Sequence, residues 1–443
     1  MEQVAIITLG CRLNQSEGDA LRMVFAQQGK RVTNLVYPTV NGQNGSMRLN
    51  TEPLDIAVIN TCAVTEQAVR TSIKWIRRMA NLKPKPKIIV TGCLAEIERA
   101  RLQKENGVDE VFSQSEKIKL IEELETRIDQ SAEGCPILPS RARAFLKIQD
   151  GCFNRCTYCL PAQIRGEPIS KPTSLVEKGV RDLVAMGYQE IVLVGLNLGI
   201  YGLDTGTSLF DLLGQLAKIK ANFRIRLGCL EPDSFDYRIL ERFDDFRLCH
   251  HLHIPLQSGD DKILNLMQRK YSVAQYEALI NRIVDRIPDI NLGTDLICGF
   301  PGEDDISFSR TVNLIRNLPF GYLHIFPYSP RPKTKAFTIP ETVSPKEKKA
   351  RVNLLRALSR IKSFDYRNRF RGKIREAIIE SNQKAITDNY IRVFIPDGNG
   401  DRTLHLRPGR ITKVRIIEVT GDKTVGQLIE TFSKSSKCSN GSK

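Results

Sequence analysis

Residues 152–159 read Cys152-Phe-Asn-Arg-Cys156-Thr-Tyr-Cys159 and directly follow a strand-like run, Ala144-Phe-Leu-Lys-Ile-Gln149. The C-x3-C-x2-C spacing gathers three thiolates on one loop, where they can bind three corners of an iron–sulfur cube and leave one iron open. A structural zinc site would need a fourth ligand, but no Cys or His follows within the next sixty residues. The stretch favours an iron–sulfur cluster, with a zinc knuckle or unrelated thiols as the alternatives.

The length and composition limit the class of protein. A chain of 443 residues that is 41% hydrophobic is expected to form two or three domains. It has no apolar run long enough to span a membrane, and its first residues have the character of a strand and not of a signal peptide. Eleven cysteines without such a signal favour metal binding or catalysis over disulfides. The sequence therefore predicts a cytoplasmic protein without a membrane partner.

Positive charge is concentrated towards the C-terminus. Residues 345–443 contain 23 Lys and Arg against 10 Asp and Glu, which accounts for +13 of the net +16 of the whole chain. A basic block of this kind is typical of proteins that bind nucleic acid. A basic surface that is simply solvated is the alternative.

Residues 1–134 alternate strand and helix patterns, which predicts a doubly wound parallel α/β domain. Strands are expected at 4–9, 55–60 and 88–91, helices at 17–28 and from about 62 to 81, and a loop insertion at 37–53. Cys11, Cys62 and Cys93 each come directly after a predicted strand. Ligands bind at the carboxyl edge of such sheets, so we expect these three thiols to hold a second cluster.

Residues 135–142 form a Pro-containing linker, in which Cys135 is expected to have no role, and residues 143–368 again repeat strand and helix. Strands are predicted at 144–149, 190–195, 224–228, 251–256, 291–298 and 322–328, and helices at 173–187, 208–220, 234–243, 260–286 and 303–317. Six strands with crossovers predict an open, partial (βα)6 barrel with its chemistry at the carboxyl ends of the strands. His251 and His253 share one face of the fourth strand and are expected to be packed or hydrogen-bonded, not metal-bound.

The last 99 residues combine a helix with a small β domain. Residues 345–368 have the pattern of a basic amphipathic helix. Short alternating runs at 374–380, 390–395, 403–406 and 411–419, separated by Gly- and Pro-containing turns, predict a small antiparallel β-barrel within 369–432. Residues 433–443 are rich in Ser and Lys and are expected to be disordered.

The Cys152 loop, with the aromatic Tyr158 just before its last cysteine, resembles the signature of radical S-adenosylmethionine (SAM) enzymes. The resemblance implies that the open iron binds SAM and that reductive cleavage of SAM yields a 5′-deoxyadenosyl radical. Polar residues at the carboxyl edge of the predicted barrel are then candidate cofactor contacts, with a loop cap as the alternative for each. They are Tyr158, Asn197, Glu231, Gln257 and Ser258.

The chain as a whole resembles the methylthiotransferases of that superfamily. The resemblance rests on several stretches beyond the Cys152 loop: Leu9-Gly-Cys-Arg-Leu-Asn14, Asn60-Thr-Cys-Ala-Val-Thr65, Thr91-Gly-Cys-Leu-Ala95, His251-Leu-His-Ile-Pro-Leu-Gln-Ser-Gly259, Gly299-Phe-Pro-Gly-Glu303 and Phe326-Pro-Tyr-Ser-Pro-Arg-Pro332. It implies that Cys11, Cys62 and Cys93 hold an auxiliary [4Fe–4S] cluster and that Cys152, Cys156 and Cys159 hold the radical-generating one. It also implies that the C-terminal barrel is an RNA-binding TRAM domain.

The motifs are most similar to the branch that acts on N6-threonylcarbamoyladenosine of tRNA. The resemblance thus implies methylthiolation of adenosine 37 in the tRNA anticodon arm, with two SAM molecules, two [4Fe–4S] clusters and an electron donor. No catalytic side chain beyond the cluster ligands is expected. Alternatives are action on isopentenyladenosine 37 or on a ribosomal protein, and an iron–sulfur RNA-binding protein without turnover.

Three positions depart from the family pattern. Pro161 comes one residue early after the last cysteine of the loop, Phe153 replaces the more usual Asn or Asp, and Lys333 stands where Gly is usual after Arg331-Pro332. These departures are expected to affect the shape of loops and the fit of the substrate more than cluster binding.

Overall fold

The computed structural model describes residues 1–33, 53–127, 141–381, 383–396 and 407–429. Several predicted features lie outside these ranges, namely most of the 37–53 insertion, most of the linker with Cys135, the strand at 403–406 and the C-terminal tail.

The N-terminal part is built on one parallel sheet. It comprises strands β1 (Gln3–Thr8), β2 (Arg31–Thr33), β3 (Ile56–Thr61), β4 (Lys87–Gly92) and β5 (Glu110–Val111), and helices α1 (Arg12–Gln27), α2 (Glu66–Ala80), α3 (Cys93–Ile97), α4 (Arg99–Leu102) and α5 (Gln114–Arg127). The sheet order is β2-β1-β3-β4-β5, and every pair is parallel. Alternate residues of β1 pack into the two opposite hydrophobic clusters, one with α2 and one with α1 and α5, which confirms the doubly wound prediction.

Helix α1 begins at Arg12, five residues before the predicted start, and the prediction was wrong here. The backbone of Cys11 is extended and forms the N-terminal cap of the helix. Asn14 and Glu17 are almost completely buried, so polar side chains occupy the inner face of the first turns. An apolar periodicity cannot reveal a helix that buries polar residues.

The central part forms an open barrel. Its strands are β6 (Ala144–Lys147), β7 (Gln149–Asp150), β8 (Ile169–Ser170), β9 (Glu190–Val194), β10 (Arg224–Leu227), β11 (His251–His253), β12 (Asn291–Cys298) and β13 (Phe320–Pro327). Its helices are α6 (Leu160–Arg165), α7 (Thr173–Ala185), α8 (Leu209–Leu216), α9 (Arg238–Glu241), α10 (Asp261–Leu266), α11 (Val273–Arg286), α12 (Asp305–Asn317) and α13 (Pro345–Asn368).

Six parallel strands of this part follow one another in chain order. The sheets β6-β9-β10 and β11-β12-β13 are joined by parallel bridges between Ile225 and Leu248 and between Cys229 and His253. Strands β7 and β8 form a separate antiparallel ribbon. The arrangement confirms the predicted partial barrel, and the ribbon places the Cys152 loop at the carboxyl end of its first strand.

Several predicted boundaries in the barrel were wrong. The strand at 144–149 ends at Lys147, and the strand at 251–256 ends at His253, two residues before Pro255, which lacks a backbone donor for a ladder. The predicted helix at 234–243 is reduced to α9. The single helix predicted at 260–286 is divided into α10 and α11, because Gln268 has a left-handed backbone with φ of 56°, and such a conformation ends a helix.

The C-terminal part is a closed five-stranded barrel in the order β14-β15-β16-β18-β17. Its strands are β14 (Ile374–Ser381), β15 (Lys384–Thr387), β16 (Arg392–Phe394), β17 (Ile411–Val419) and β18 (Thr424–Ile429). Neighbouring strands are antiparallel except β16 and β18, which pair in parallel. Helix α13, which has the predicted bounds, leads into this barrel and starts with a capping box between Ser344 and Glu347.

The terminal barrel packs against the amino ends of the central strands, opposite the Cys152 loop. Arg224 and Arg226 flank the completely buried Glu190, at 2.6 and 2.7 Å, and donate to main-chain oxygens of residues 386–388. Tyr390 places its ring 4.3 Å from that of His251, between ring centroids. The barrel thus closes the end of the central barrel that carries no cysteine loop.

Candidate active site

The first cysteine triad lies at one edge of the N-terminal sheet, as predicted. Cys11 caps α1, Cys62 follows β3, and Cys93 begins α3 directly after β4, so three adjacent strands deliver their thiols to one place. The loops are in close contact: a Cβ on Gly10 would lie 2.6 Å from the Cys62 sulfur. Gly10 also has a φ of 94°, which favours glycine.

The environment of this triad fits a metal cluster. Burial raises the pKa of the Cys62 thiol to about 12, and the neighbouring Cys11 and Cys93 sulfurs act in the same direction. A thiolate at this position therefore needs a positive partner, which irons supply. In a zinc site with bonds of 2.3 Å the sulfurs would be about 3.8 Å apart. Within the described ranges, neither cysteine triad has its three sulfurs all within 4.8 Å of one another, so the donor sets fit a larger cluster better than a single zinc ion.

A buried charge network adjoins this triad and connects it to the second one. Glu17 of α1 accepts from Lys117 at 2.6 Å and from Arg165 at 2.8 Å, and Lys147 lies at 3.2 Å. Burial alone would raise the pKa of Glu17, but the charges of these cations have the larger effect and lower it. Because Arg165 ends α6, the helix that begins after Cys159, the network joins the two cysteine loops. Sequence reasoning missed it.

The second triad is held by main-chain hydrogen bonds of its loop. The Cys152 N–H donates to the Gly166 carbonyl at 3.0 Å, and the Thr157 N–H donates to the Met267 carbonyl at 3.0 Å. Pro161 occupies the first turn of α6, which is capped by Cys159. Proline is well tolerated there because the first-turn N–H groups have no intrahelical acceptor. The departure at Pro161 therefore leaves the loop intact.

Arg269 contacts both a cysteine of the second triad and Glu231, and sequence reasoning missed it. Its Nη1 is 3.4 Å from the Cys156 sulfur, and its other Nη donates to Glu231. Burial raises the pKa of the Cys156 thiol, whereas Arg269 lowers it. Arg269 lies in the turn between α10 and α11, directly after Gln268, whose left-handed backbone ends α10.

The predicted cofactor contacts occupy different surroundings. Asn197 is buried, its Oδ1 accepts from the Gly199 N–H at 3.0 Å, and its Nδ2 has no partner among the described residues. Glu231 is paired with Arg269, and Tyr158 packs its ring edge-to-face on Phe300. The hydroxyl of Ser234 donates to Asn197 Oδ1 at 3.2 Å and to the main-chain carbonyl of Glu231 at 3.4 Å, so the loops that carry Asn197 and Glu231 are in contact.

Gln257 and Ser258 lie deeper in the fold. The backbone of Gln257 has a φ of 71°, and its main chain pairs with Asp295 and Ile297. The buried Ser258 hydroxyl is 3.5 Å from the Thr311 hydroxyl of α12. Both positions thus have protein partners of their own.

A polar cluster lines the inner face of β11, β12 and β13. His251 and His253 both hydrogen-bond the Tyr322 hydroxyl, at 2.8 and 3.0 Å, as predicted for packed histidines. Asp295 accepts from His253 at 2.9 Å and from His324 at 3.1 Å. Among the described residues, His253, Asp295 and His324 form the one group with ligand atoms within 4.8 Å of one another.

The departure at Lys333 has a backbone consequence. Its φ of 72° is left-handed, which costs a non-glycine residue about 1 kcal/mol or more. We expect Lys333→Gly to raise stability by up to about 1 kcal/mol, measured as the midpoint of thermal unfolding. Lys333→Ala keeps the unfavourable backbone and serves as the control. An equal gain from both substitutions would contradict this explanation.

Comparison with known proteins agrees with these features. Residues 146–315 match the family model described as the radical SAM superfamily, and residues 3–113 match the one described as uncharacterized protein family UPF0004. The threonylcarbamoyladenosine tRNA methylthiotransferase MtaB of Thermotoga maritima is 34% identical over 97% of this chain and 99% of its own length. The MtaB of Bacillus subtilis is 32% identical over 97% of each chain.

A relative of another branch is also similar. The tRNA-2-methylthio-N(6)-dimethylallyladenosine synthase of Thermotoga petrophila is 30% identical over 96% of both chains. Among solved structures, the radical SAM methyltransferase TsrM of Kitasatospora setae, with cobalamin and a [4Fe–4S] cluster bound, covers 76% of this chain and is covered over 74% of its own, with a TM-score of 0.53 and 14% identity. That likeness shows the fold. In the parts that the structure describes, no helix is long and apolar enough to cross a membrane.

Proposed function

The chain belongs to the radical SAM methylthiotransferase family, and from this premise we propose that it converts N6-threonylcarbamoyladenosine of tRNA to its 2-methylthio derivative. The hydrogen at C2 of the base is replaced by a methylthio group. One SAM supplies the methyl group and a sulfur donor supplies the sulfur atom. A second SAM is cleaved reductively to methionine and a 5′-deoxyadenosyl group, which leaves as 5′-deoxyadenosine with the hydrogen from C2. The observation that carries the proposal is the presence of two cysteine triads in a chain that matches a threonylcarbamoyladenosine tRNA methylthiotransferase over almost its whole length.

Each triad is proposed to hold one [4Fe–4S] cluster with an open iron. Cys11, Cys62 and Cys93 would bind the auxiliary cluster, and Cys152, Cys156 and Cys159 the one that binds SAM. When bound, such clusters supply one-electron reduction and an open iron for a ligand. The protein's part is to exclude water around the buried thiols and to fix the distance between the two loops through the ion pair between Glu17 and Arg165.

The contacts to SAM are proposed at the edge above β9 and β10. The unpartnered Nδ2 of Asn197 and the carboxylate of Glu231 would hold polar groups of SAM, and Arg269 would orient Glu231. Tyr158 would pack beside the cofactor. The described polar contacts of Gln257 and Ser258 are with other residues of the protein. We therefore propose that these two residues contribute to the SAM site through their main chain and through the shape they give to the edge of the barrel.

The domain boundaries are proposed on the basis of the same family resemblance and of the fold. We assign residues 1–134 to the auxiliary-cluster domain, 143–368 to the radical SAM barrel with its basic helix, and 369–432 to the TRAM-like barrel, with 135–142 as a linker and 433–443 as a tail. The anticodon arm of the tRNA and a separate electron donor are the proposed partners.

Action on dimethylallyladenosine is the second candidate, supported by the similarity to the Thermotoga petrophila enzyme. The two are separated by offering the reconstituted protein, SAM and a reductant two anticodon stem-loops that differ only in the N6 substituent. We expect the methylthio product from the threonylcarbamoyl RNA. Product from the dimethylallyl RNA alone would replace the first assignment with the second.

Exposed cationic side chains of the terminal barrel are proposed to bind the phosphates of the RNA. Lys413 and Arg415 point outward from β17, while Val414 and Ile416 fill the barrel core. Because the barrel also covers the buried Arg224 and Arg226, deleting it would disturb the central fold. Surface substitutions therefore give the sharper test.

The double variant Lys413→Gln/Arg415→Gln is expected to bind tRNA more weakly and with a flatter salt dependence. Loss of two phosphate contacts should reduce the slope of log K against log salt by about 1.5, because each contact releases condensed counterions. Binding measured at several salt concentrations checks this. The matched control is Lys104→Gln/Lys119→Gln, which removes two exposed charges from the N-terminal domain. Equal salt slopes in the two double variants would contradict the assignment.

A further inference from the structure

The loop after β13 connects the surroundings of the two cysteine triads. The hydroxyl of Ser329 accepts a hydrogen bond at 3.1 Å from the Glu66 N–H, at the start of the helix that follows Cys62. Seven residues later, the Ala336 N–H donates to the Thr157 carbonyl, within the second cysteine loop, at 2.8 Å. The segment between these two contacts therefore connects the helix that follows Cys62 with the loop that carries Cys156 and Cys159.

Arg331 stands in the middle of this segment, and no carboxylate of the described residues pairs with it. It is only 7% exposed, and its Nε has no hydrogen-bond partner among the described residues. Each of the other buried arginines in the described ranges is paired with a carboxylate: Arg22, Arg224, Arg226, Arg269 and Arg351. Burying a charge without a partner is costly. The guanidinium of Arg331, which has no described ion-pair partner, therefore indicates an anion-binding site.

The loop is built to hold this residue in position. Thr334 is buried, and both its N–H and its hydroxyl donate to the Arg331 carbonyl, at 3.2 and 2.7 Å. Tyr328, the residue just before this segment, carries a second buried donor without a described acceptor, its hydroxyl group. A guanidinium group presents paired N–H donors whose geometry matches carboxylate and phosphate oxygens.

We propose that Arg331 binds an oxyanion of the nucleotide that is modified, next to the position where the base lies between the two clusters. The inference rests on the proposed function, because it requires an RNA substrate. The oxyanion has two possible sources in that nucleotide, namely the carboxylate of the threonylcarbamoyl group and the phosphodiester beside the base. Both present two charged oxygens that can accept a pair of N–H groups from one guanidinium.

The test compares binding of two anticodon stem-loops, one with N6-threonylcarbamoyladenosine and one with unmodified adenosine, to the reconstituted full-length protein. Arg331→Gln is expected to weaken binding of the modified RNA about tenfold or more, as for loss of a charge-assisted hydrogen bond. The matched control Lys333→Gln removes an exposed charge two residues away in the same loop, and it should change the dissociation constant by less than about twofold.

The two sources give different patterns. If the carboxylate is bound, only the modified RNA loses affinity and the preference over unmodified RNA disappears. If the phosphodiester is bound, both RNAs lose affinity equally and the salt slope falls by about 0.7 to 0.9. Either pattern supports the proposal.

Wild-type affinity of Arg331→Gln for both RNAs would overturn the proposal, and so would a loss confined to SAM affinity measured without RNA. Unchanged iron content and circular dichroism show that the variant is folded. If Arg331→Gln does not fold, Arg331→Lys gives the test, because it keeps the charge but lacks the fork. An intermediate loss then supports the proposal, and full affinity overturns it. Failure of the wild-type protein to bind either RNA would instead reject the proposed function.

Discussion

Replacing Cys62 with Ala is expected to abolish methylthiolation while leaving the cleavage of SAM to 5′-deoxyadenosine in place. Cys62 is buried between the loops of Cys11 and Cys93, so its loss leaves the proposed auxiliary-cluster site with two ligands. Two clusters of four irons would give about eight irons per chain, and the variant should retain about four. Iron content, 5′-deoxyadenosine and methylthio-adenosine are measured on the same anaerobically reconstituted sample.

Two further variants show whether the effect is specific. Cys152→Ala should also halve the iron, but it should abolish 5′-deoxyadenosine formation as well. Cys298→Ala removes a buried thiol at the end of β12 and should leave the iron content unchanged. Loss of all iron in Cys62→Ala, or retention of all iron, would contradict the assignment of two separate three-cysteine sites.

Replacing Glu190 with Gln is expected to destabilise the protein by about 3–5 kcal/mol. The side chain is completely buried between Arg224 and Arg226, and Gln would leave two buried guanidinium groups without a counter-charge. The same groups hold the terminal barrel through its main-chain oxygens. Denaturant unfolding at pH 7 measures the effect. The control is Glu177→Gln, which breaks an exposed ion pair with Arg181 on α7 and should cost less than about 1 kcal/mol. Equal losses in the two variants would contradict this role of Glu190.

The same residue gives a pH signature. Burial would raise the pKa of Glu190, but Arg226 and Arg224 outweigh it and lower the pKa from 4.5 to about 2. A carboxylate with a lowered folded-state pKa contributes stability that is present above pH 4.5 and is lost as the pH falls towards 2. The difference in stability between wild type and Glu190→Gln should therefore shrink through that window. A difference that stays constant from pH 7 to pH 2.5 would argue against the ion pairs as its cause.

The sequence predicted those parts of the molecule that local patterns determine. Parallel strands with buried central residues have near-continuous apolar runs, so β1, β3, β9 and β12 were found almost at their bounds. The cysteines could be predicted as a set because each follows such a strand or lies in the Cys152 loop. Where the chain buries polar residues, as in the first turns of α1, the periodicity that identifies a helix is absent.

The polar surroundings of the cysteines could not be predicted, because they join residues far apart in the chain. Arg269 reaches Glu231, 38 residues away, and Lys117 reaches Glu17, 100 residues away. Nothing in the local sequence distinguishes these from exposed ion pairs. Arg331 is a similar case. The sequence showed an Arg-Pro pair, and only the fold showed that the arginine is buried with no carboxylate partner among the described residues.

The most direct test of the central claim is nucleoside mass spectrometry of tRNA from cells with and without this protein. The account predicts that 2-methylthio-N6-threonylcarbamoyladenosine disappears without the protein, that its unmethylthiolated precursor accumulates, and that the wild-type chain but not the Cys62→Ala variant restores it. An unchanged amount of 2-methylthio-N6-threonylcarbamoyladenosine in cells that lack the protein would contradict the account.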